Sequence, residues 1–208
     1  MLSMYSRFAV KVLRAVAVFG VLSVSVAQAE GDVESGRVLA DTCKGCHAVD
    51  SYNNVYPTYK VPKIGGQSAA YLEEALKLYR DGNRDHSTMT AQAASYTDQD
   101  IADIAAYLAS VVPPITAGEP KGQAPDVMST CTACHGQTGI GQIAVYPYLA
   151  GQHKDYLVQA LSDYRSGARK GVNATVMQAN IMNLSDAELA VIAEYYSKQD
   201  GLKPLPME

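Results

Sequence analysis

The chain has 208 residues, of which 18% are charged, and a formal net charge of −4 at pH 7. Because basic residues are not in excess, the electrostatic basis for nucleic-acid binding is missing, and a nucleic-acid partner is not expected. The length allows one domain or two small ones.

Residues 1–29 have the order of a secretory signal peptide. Three basic residues precede an apolar run from Ala15 to Val26, and Ala27-Gln28-Ala29 forms a small-residue cleavage site. The run is short against the roughly 30 Å core of a bilayer, so cleavage is favoured over retention as a membrane anchor. Cleavage removes three positive charges, changes the net charge from −4 to −7, and predicts a periplasmic protein.

Two copies of one short motif use all four cysteines of the chain. They are Cys43-Lys-Gly-Cys46-His47 and Cys131-Thr-Ala-Cys134-His135. Cys-x-x-Cys-His is the attachment motif of a c-type haem. Two thiols on one helical turn can form thioethers with the two vinyl groups of one porphyrin, and the next histidine can bind its iron. The motifs therefore predict two covalent haem c groups.

Two other uses of such cysteines agree less well with the sequence. Zinc knuckles usually lie roughly 15–20 residues apart, whereas a much longer stretch separates Cys46 from Cys131. A thioredoxin-like dithiol would follow a strand–helix pattern, which neither copy has. Haem attachment also takes place outside the cytoplasm, in agreement with the predicted signal peptide.

An internal repeat divides the mature chain into two halves. Residues 62–84 match residues 147–169 at about half of the positions. The identical pairs are Pro62/Pro147, Gly66/Gly151, Gln67/Gln152, Tyr71/Tyr156, Leu72/Leu157, Ala75/Ala160, Leu76/Leu161, Tyr79/Tyr164, Arg80/Arg165, Gly82/Gly167 and Arg84/Arg169. The proline-containing stretch 113–122 is typical of a linker. We predict domains at 30–112 and 123–208, each small enough to need its haem as part of the apolar interior.

Apolar residues recur at helical spacing in each half. They predict helices over 67–79 and 152–164, and a short helix over 34–42 before the first motif. The last helix of each half is predicted to begin after Thr97 or Ser185, and Ser185-Asp-Ala-Glu188 matches a reciprocal capping box. No stretch alternates as a strand would, so the predicted fold is all-α.

The second axial position of each iron is predicted to be filled by methionine. Met89 is the only methionine of the mature first half, and it lies eight residues before Thr97. Met177 lies eight residues before Ser185, so the repeat register selects it over the alternative, Met182. A thioether favours ferrous iron and raises the potential. An iron with both axial positions filled has no open site for a substrate, which predicts a carrier rather than an enzyme.

The two remaining histidines match the ligand pattern less well. His86 lies close to Met89 and would allow bis-histidine ligation, but the second half has no counterpart. His153 follows the repeated Gly-Gln pair, where the first half has Ser68. Both are predicted to be surface or network histidines.

The order of these motifs resembles the cytochrome c4 family, over essentially the whole mature chain. Cys-x-x-Cys-His, Pro-x-Leu/Ile-x-Gly-Gln, Tyr-Leu, Tyr-Arg-x-Gly-x-Arg, a methionine and a capped helix follow one another twice. The resemblance implies two class-I cytochrome c domains related by pseudo-twofold symmetry, each around one haem. It implies a periplasmic dihaem carrier that passes single electrons toward a respiratory terminal oxidase, with peripheral membrane association through partners. By the family pattern, His47 and Met89 bind the first iron, and His135 and Met177 bind the second.

Four further residues follow from the same resemblance. Pro62 and Pro147 match the proline whose carbonyl accepts a hydrogen bond from the ligand histidine and so fixes its ring. Arg84 and Arg169 are candidates to neutralise haem propionates; the alternative is that they are ordinary exposed arginines.

The first half departs from the second half after its haem motif. It lacks the glycine that the second half has at Gly136, and it runs three residues longer before its proline. Tyr52, Tyr56 and Tyr59 in this insertion either form a docking patch at the haem edge or shield the haem.

Two other functions are compatible with parts of the pattern. A dihaem peroxidase would need one iron with an open or displaceable ligand, and the matching methionines argue against it. The dihaem subunit of a flavocytochrome c sulfide dehydrogenase has a similar two-domain architecture. That role would require a flavoprotein partner, since this chain has no flavin-binding motif. An electron carrier with a redox protein as donor is the favoured function.

Overall fold

The computed structural model of the protein describes residues 30–207. The predicted signal peptide, residues 1–29, lies outside the described residues. Within residues 30–207, no helix is both long enough and apolar enough to cross a membrane.

Helices form the regular structure of both halves apart from one short hairpin, which confirms the all-α class. The helices are α1 (Val33–Leu39), α2 (Lys44–His47), α3 (Ala69–Arg80), α4 (Ser87–Ala93), α5 (Asp98–Ser110), α6 (Ser129–His135), α7 (Lys154–Ser166), α8 (Val172–Ile181) and α9 (Asp186–Ser197). The 3₁₀ turns Ala40–Cys43 and Asp126–Met128 precede α2 and α6. The hairpin pairs β1 (Asn53–Asn54) with β2 (Tyr59–Lys60) in antiparallel register, within the insertion of the first half.

The last helix of each half begins with a reciprocal capping box. At the start of α9 the Ser185 hydroxyl accepts a hydrogen bond from the Glu188 amide, and the Glu188 carboxylate accepts one from the Ser185 amide. Thr97 and Asp100 form the same arrangement at the start of α5. These bonds satisfy amides that a helix leaves free at its first turn. Both helices therefore begin where the sequence predicts.

Each half has its own apolar core, formed between its last helix and the helix that follows its proline. Leu72 of α3 and Ile104 of α5 belong to the first core, and Leu157 of α7 and Ile192 of α9 belong to the second. All four side chains also line the cavity that contains the haem motifs. Each core is therefore open toward this cavity, and an apolar group placed there would complete it.

The C-terminal tail returns to the first half. Gly65 and Lys203 exchange two backbone hydrogen bonds of 3.0 and 3.1 Å, and Leu205 is buried in the first core. Leu205 therefore stabilises the first half, although it lies within the range 123–208 that the sequence assigns to the second domain. Between Ser110 and Asp126 the chain has no helix or strand, in the region of the predicted linker. The domain limits themselves stay a prediction.

Candidate functional site

Both haem motifs open onto one continuous, largely apolar cavity that is lined by residues of both halves. Cys43 and Cys46 line it from the first half, and Cys131 and Cys134 line it from the second. The four cysteines form no disulfide, so both pairs are available for bonds to haem. Burial raises the pKa of Cys43 to about 11 and raises that of Cys131 as well. The two cysteines of each motif therefore lie beside the space that a porphyrin would fill.

The two motif histidines are held in the same way. His47 Nδ1 lies 2.7 Å from the Pro62 carbonyl oxygen, and His135 Nδ1 lies 3.1 Å from that of Pro147. A carbonyl only accepts, so Nδ1 carries the proton and Nε2 keeps its lone pair. Burial lowers the pKa of both histidines and outweighs the opposing effect of the carbonyls. Each ring is therefore neutral and has one nitrogen suited to binding iron.

The two predicted methionine ligands lie on matching helices that periodicity does not predict. Met89 on α4 and Met177 on α8 both line the cavity. Met182 follows the end of α8 and is 60% exposed. Both selected methionines therefore line the same cavity as the motif histidines, whereas Met182 is not among its lining residues. Neither helix has a regular apolar stripe, so apolar spacing in the sequence predicts neither of them.

His86 lies beside the first methionine. Its Nδ1 accepts a hydrogen bond from the Met89 amide at 3.3 Å, so it caps α4. Burial lowers the pKa of His86, and the nearby Arg84 guanidinium acts in the same direction. His86 is therefore a neutral residue that supports the helix carrying Met89. His153 lies at the N-cap position of α7, as Ser68 does before α3, and its side chain makes no capping hydrogen bond there.

Arg84 and Arg169 meet at the boundary between the halves. Their backbones form an isolated antiparallel bridge, and the two residues are only 5% and 8% exposed. Each guanidinium lies over a tyrosine of its own repeat, 4.5 Å from the Tyr79 ring centre for Arg84 and 4.8 Å from that of Tyr164 for Arg169. The alternative interpretation of two ordinary exposed arginines is therefore wrong.

The two arginines share one tyrosine hydroxyl. Arg84 Nη2 donates to the Tyr156 hydroxyl at 2.8 Å, and Arg169 Nη2 donates to it at 3.4 Å. Burial acts to raise the pKa of Tyr156, but the two guanidiniums outweigh it and lower this pKa to about 8. The Nε atoms of both arginines are buried without a hydrogen-bond partner. The cluster therefore has two unsatisfied hydrogen-bond donors and an excess of positive charge.

The arginine–tyrosine cluster, together with the cysteine, histidine and methionine side chains that line the cavity, fits a haem c in each half. The Asp163 carboxylate, 3.7 Å from Arg169 Nε, offsets part of the positive charge, and a buried cation without a partner is costly. Haem propionates would supply the missing anions, since both arginines line the cavity. Among residues 30–207 no cluster of three or more His, Cys, Asp or Glu side chains is arranged to hold a bare metal ion.

The tyrosine-rich insertion is divided between the cavity and the solvent. Tyr59 is 8% exposed, and its ring lies 6.1 Å from the ring of Tyr156 in the other half. Tyr52 lines the cavity, whereas Tyr56 is 93% exposed. Tyr59 therefore shields the boundary between the halves, and Tyr56 faces the solvent.

Several known proteins are similar to this chain in sequence and in fold. The cytochrome c family matches the chain twice, over residues 33–111 and 121–199. Cytochrome c4 of Pseudomonas aeruginosa is 34% identical, over 82% of this chain and 90% of its own length. The crystal structure of reduced recombinant cytochrome c4 from Pseudomonas stutzeri has a TM-score of 0.63 and 28% identity, over 81% of this chain and 99% of that chain. The thiosulfate dehydrogenase electron acceptor of Stutzerimonas stutzeri is 29% identical, over 76% of this chain and 79% of its own length.

A chain with two cytochrome c domains, each with its own cysteine pair, is a dihaem electron-transfer cytochrome and carries two covalent haem c groups. The similarity to cytochrome c4 extends over most of both chains. The protein belongs to the cytochrome c4 family. The family, the fold and the cofactor predicted from the sequence are confirmed, whereas the axial ligands stay a prediction.

Two buried glutamines at the boundary between the halves belong to this site, although the sequence alone does not indicate their role. Gln67 and Gln152 are identical positions of the repeat, next to Gly66 and Gly151. Each is only 4% exposed. Their occurrence in both copies was the available signal, but their partners lie in the opposite half and no local pattern reveals them.

Proposed function

We propose that this protein is a periplasmic one-electron relay, which takes electrons from a redox protein and delivers them to a respiratory terminal oxidase. The observation that supports the relay best is the matched pair of sites, since each half turns one carbonyl-bound histidine and one methionine toward the shared cavity. In this proposal His47 and Met89 bind the first iron, and His135 and Met177 bind the second.

The residues around each site tune and protect a one-electron couple. Bound haem supplies a reversible Fe(III)/Fe(II) change. The Pro62 and Pro147 carbonyls hold the imidazoles in one orientation, and the methionine thioethers favour ferrous iron. The positive charges of Arg84 and Arg169 also favour the reduced state, which carries one positive charge less. The apolar lining keeps water away.

The occupied axial positions favour a carrier over a dihaem peroxidase. A peroxidase would need a displaceable ligand at one iron, whereas the two halves present the same residue types. A subunit of a flavocytochrome c sulfide dehydrogenase would share this site and differ only in its partner. Purification from the native source separates these two roles, because only the subunit would be retained with a flavoprotein.

The periplasmic location is part of the proposal and rests on the predicted signal peptide. The chain isolated from the periplasm should begin at Glu30 and have the mass of residues 30–208 plus two haems. A protein that keeps residues 1–29 and stays with the membrane after a high-salt wash would contradict cleavage. Peripheral membrane association through partners would instead be reversed by that wash, because contacts between exposed charges are screened.

A spectroelectrochemical titration of the mature holoprotein tests the relay. We expect two low-spin haems at high potential, each with the charge-transfer band of methionine–iron ligation. Met177→His should lower the potential of one haem and leave it attached, whereas Met182→Ala should change neither haem. If Met182→Ala perturbs a haem and Met177→His does not, the ligand assignment is wrong. A haem that becomes high-spin on reduction and then reacts with peroxide would indicate an enzyme.

The terminal oxidase as acceptor can be tested directly. Reduced protein mixed with membranes of the organism that makes it should be reoxidised by oxygen, and cyanide should block the reaction. Membranes prepared from a strain without its terminal oxidases are the matched control. Equal reoxidation by both membrane preparations would exclude the proposed acceptor.

A second candidate donor is suggested by the relative named as the electron acceptor of thiosulfate dehydrogenase. In this role the protein would accept electrons from a thiosulfate-oxidising enzyme. Oxidised protein mixed with thiosulfate and a purified thiosulfate dehydrogenase should then develop the absorption bands of ferrous haem. Thiosulfate without the enzyme is the control, and reduction in that control would show that the chain itself oxidises thiosulfate.

A further inference from the structure

Two buried glutamines hold the backbone of the opposite half. Gln67 Nε2 donates to the Tyr148 carbonyl at 3.0 Å, and the Tyr148 amide donates to Gln67 Oε1 at 2.8 Å. Gln152 makes the same pair of bonds with Lys63, at 2.9 and 3.0 Å. Both side chains are 4% exposed, so water does not compete for these bonds. Each glutamine therefore satisfies both backbone groups of one residue across the boundary.

The residue held by Gln152 directly follows the proline that binds the first motif histidine. Pro62 and Lys63 share one peptide group, whose carbonyl accepts from His47 and whose N–H donates to Gln152. A peptide group is planar, so fixing the N–H fixes the direction of the carbonyl. A peptide that donates at its N–H is also polarised and accepts more strongly at its oxygen. Gln152 thus sets the bond that holds His47.

Equivalent hydrogen bonds connect a glutamine of the first half to the motif histidine of the second half. The peptide between Pro147 and Tyr148 accepts from His135 at its carbonyl and donates to Gln67 at its N–H. Each half therefore supplies the side chain that orients the histidine-binding peptide of the other half. The repeat explains the symmetry, because proline and glutamine lie five positions apart in both copies.

We infer that Gln67 and Gln152 are positioning residues that couple the two haem sites, each tuning the iron of the opposite half through its histidine. The inference rests on the proposed ligation of iron by His47 and His135. A hydrogen bond from the far ring nitrogen makes the imidazole a more basic ligand. A more basic ligand favours ferric iron, so weakening that bond raises the potential of the haem opposite the altered glutamine.

A merely structural role predicts a different pattern. Each glutamine oxygen also accepts a hydrogen bond in its own half, from the Ser68 amide for Gln67 and from the His153 amide for Gln152. If these local bonds were all that mattered, a substitution would act on its own half or on both halves equally. Coupling predicts that the effect crosses the boundary.

The test compares the potentials of both haems in Gln67→Leu and Gln152→Leu holoproteins. Met89→His and Met177→His, each of which lowers one potential, identify the first and second haem. Gln199→Leu is the matched control, because Gln199 is also 4% exposed and makes the same pair of bonds with Lys121, outside both histidine-binding peptides. Gln67→Asn and Gln152→Asn shorten the amide without removing it and replace any leucine variant that does not fold.

We expect Gln67→Leu to raise the potential of the second haem and Gln152→Leu to raise that of the first, with little change in the haem of the same half. In the reduced protein, the Nδ1–H proton resonance of His135 should move in Gln67→Leu and stay in place in Gln199→Leu. A shift confined to the haem of the same half, or an equal shift of both, would overturn the coupling while the relay stands. Failure of Met89→His and Met177→His to move either potential would overturn the methionine ligands of the proposed function, and the His135 Nδ1–H resonance would then decide the coupling.

Discussion

The first half adds three segments to the arrangement that it shares with the second: helix α1, the hairpin after its haem motif, and the C-terminal tail. Helix α1 packs so closely on α5 that a Cβ atom on Gly36 would overlap the Asp103 carbonyl. In the tail, the Leu205 amide donates to the His47 carbonyl at 3.0 Å. The second half instead leaves its motif through Gly136, with φ of +74°, and the Tyr196 hydroxyl donates to the Gly136 carbonyl at 3.2 Å.

These differences lie around the sites, whereas the predicted iron ligands and the residues that hold them correspond in pairs. The histidine, its proline carbonyl, the methionine helix, the stacked arginine and the glutamine occur in both halves. Two equal sites in unequal surroundings are suited to a relay, because the surroundings can set different potentials and different partner surfaces. The exposed Tyr56 of the hairpin has no equivalent in the second half.

The largest effect is expected from removing the attachment cysteines of one half. Cys131→Ala with Cys134→Ala should leave a protein with one covalent haem, because each cysteine pair holds its own porphyrin. The reciprocal pair, Cys43→Ala with Cys46→Ala, is the matched variant and should also retain one haem. Intact mass and haem absorbance measure the number directly. Two covalent haems in either variant would contradict the assignment of one haem to each motif.

Gly36→Ala tests whether α1 makes the stability of the first half differ from that of the second. The added methyl group has no room against the α5 backbone, so we expect the free energy of unfolding to fall by roughly 1–3 kcal/mol. Gly118→Ala is the control, because a Cβ there would meet nothing within 4 Å. Thermal unfolding followed at the haem absorbance gives both values. Equal stability of the two variants would mean that α1 can move away from α5 without cost.

Arg84→Gln tests whether the buried positive charge at the boundary between the halves raises both haem potentials. A unit charge within about 15 Å contributes on the order of 1 kcal/mol at an effective dielectric constant of about 20. Loss of this buried cation should therefore lower both haem potentials by some tens of millivolts. This pattern differs from that of the glutamine variants, which should act on one haem each. Arg37→Gln is the control, since Arg37 pairs with Glu34 at the exposed end of α1. Unchanged potentials in Arg84→Gln would exclude the charge effect.

Residues that act inside one half were largely predictable from the sequence. Haem attachment needs a fixed spacing of cysteine and histidine, and the repeat then located the prolines and the methionines. Helices α4 and α8 were not predicted, because they lack an apolar stripe and are held by packing against α3 and α7. The burial of Arg84 and the partners of Gln67 were not predictable either, because both depend on how the two halves meet.

The smallest effect is expected from the capping boxes, which pair Thr97 with Asp100 in the first half and Ser185 with Glu188 in the second. Thr97→Ala and Ser185→Ala should each lower the melting temperature by about 2–4 °C at neutral pH.

Hydrogen bonds from Thr97 and Ser185 lower the pKa of Asp100 and of Glu188 in the folded protein. A carboxyl group with a lowered pKa stabilises the fold at pH values above its unfolded-state pKa. This stabilisation is lost as the pH falls through its folded-state pKa. The cost of each substitution should therefore shrink in acid, beginning near pH 4.5 for Ser185→Ala and near pH 3.8 for Thr97→Ala, the unperturbed values of Glu188 and Asp100. Melting temperatures measured from pH 7 to pH 3.5 test this order, and a cost that does not change with pH would show that the carboxylates take no part in the caps.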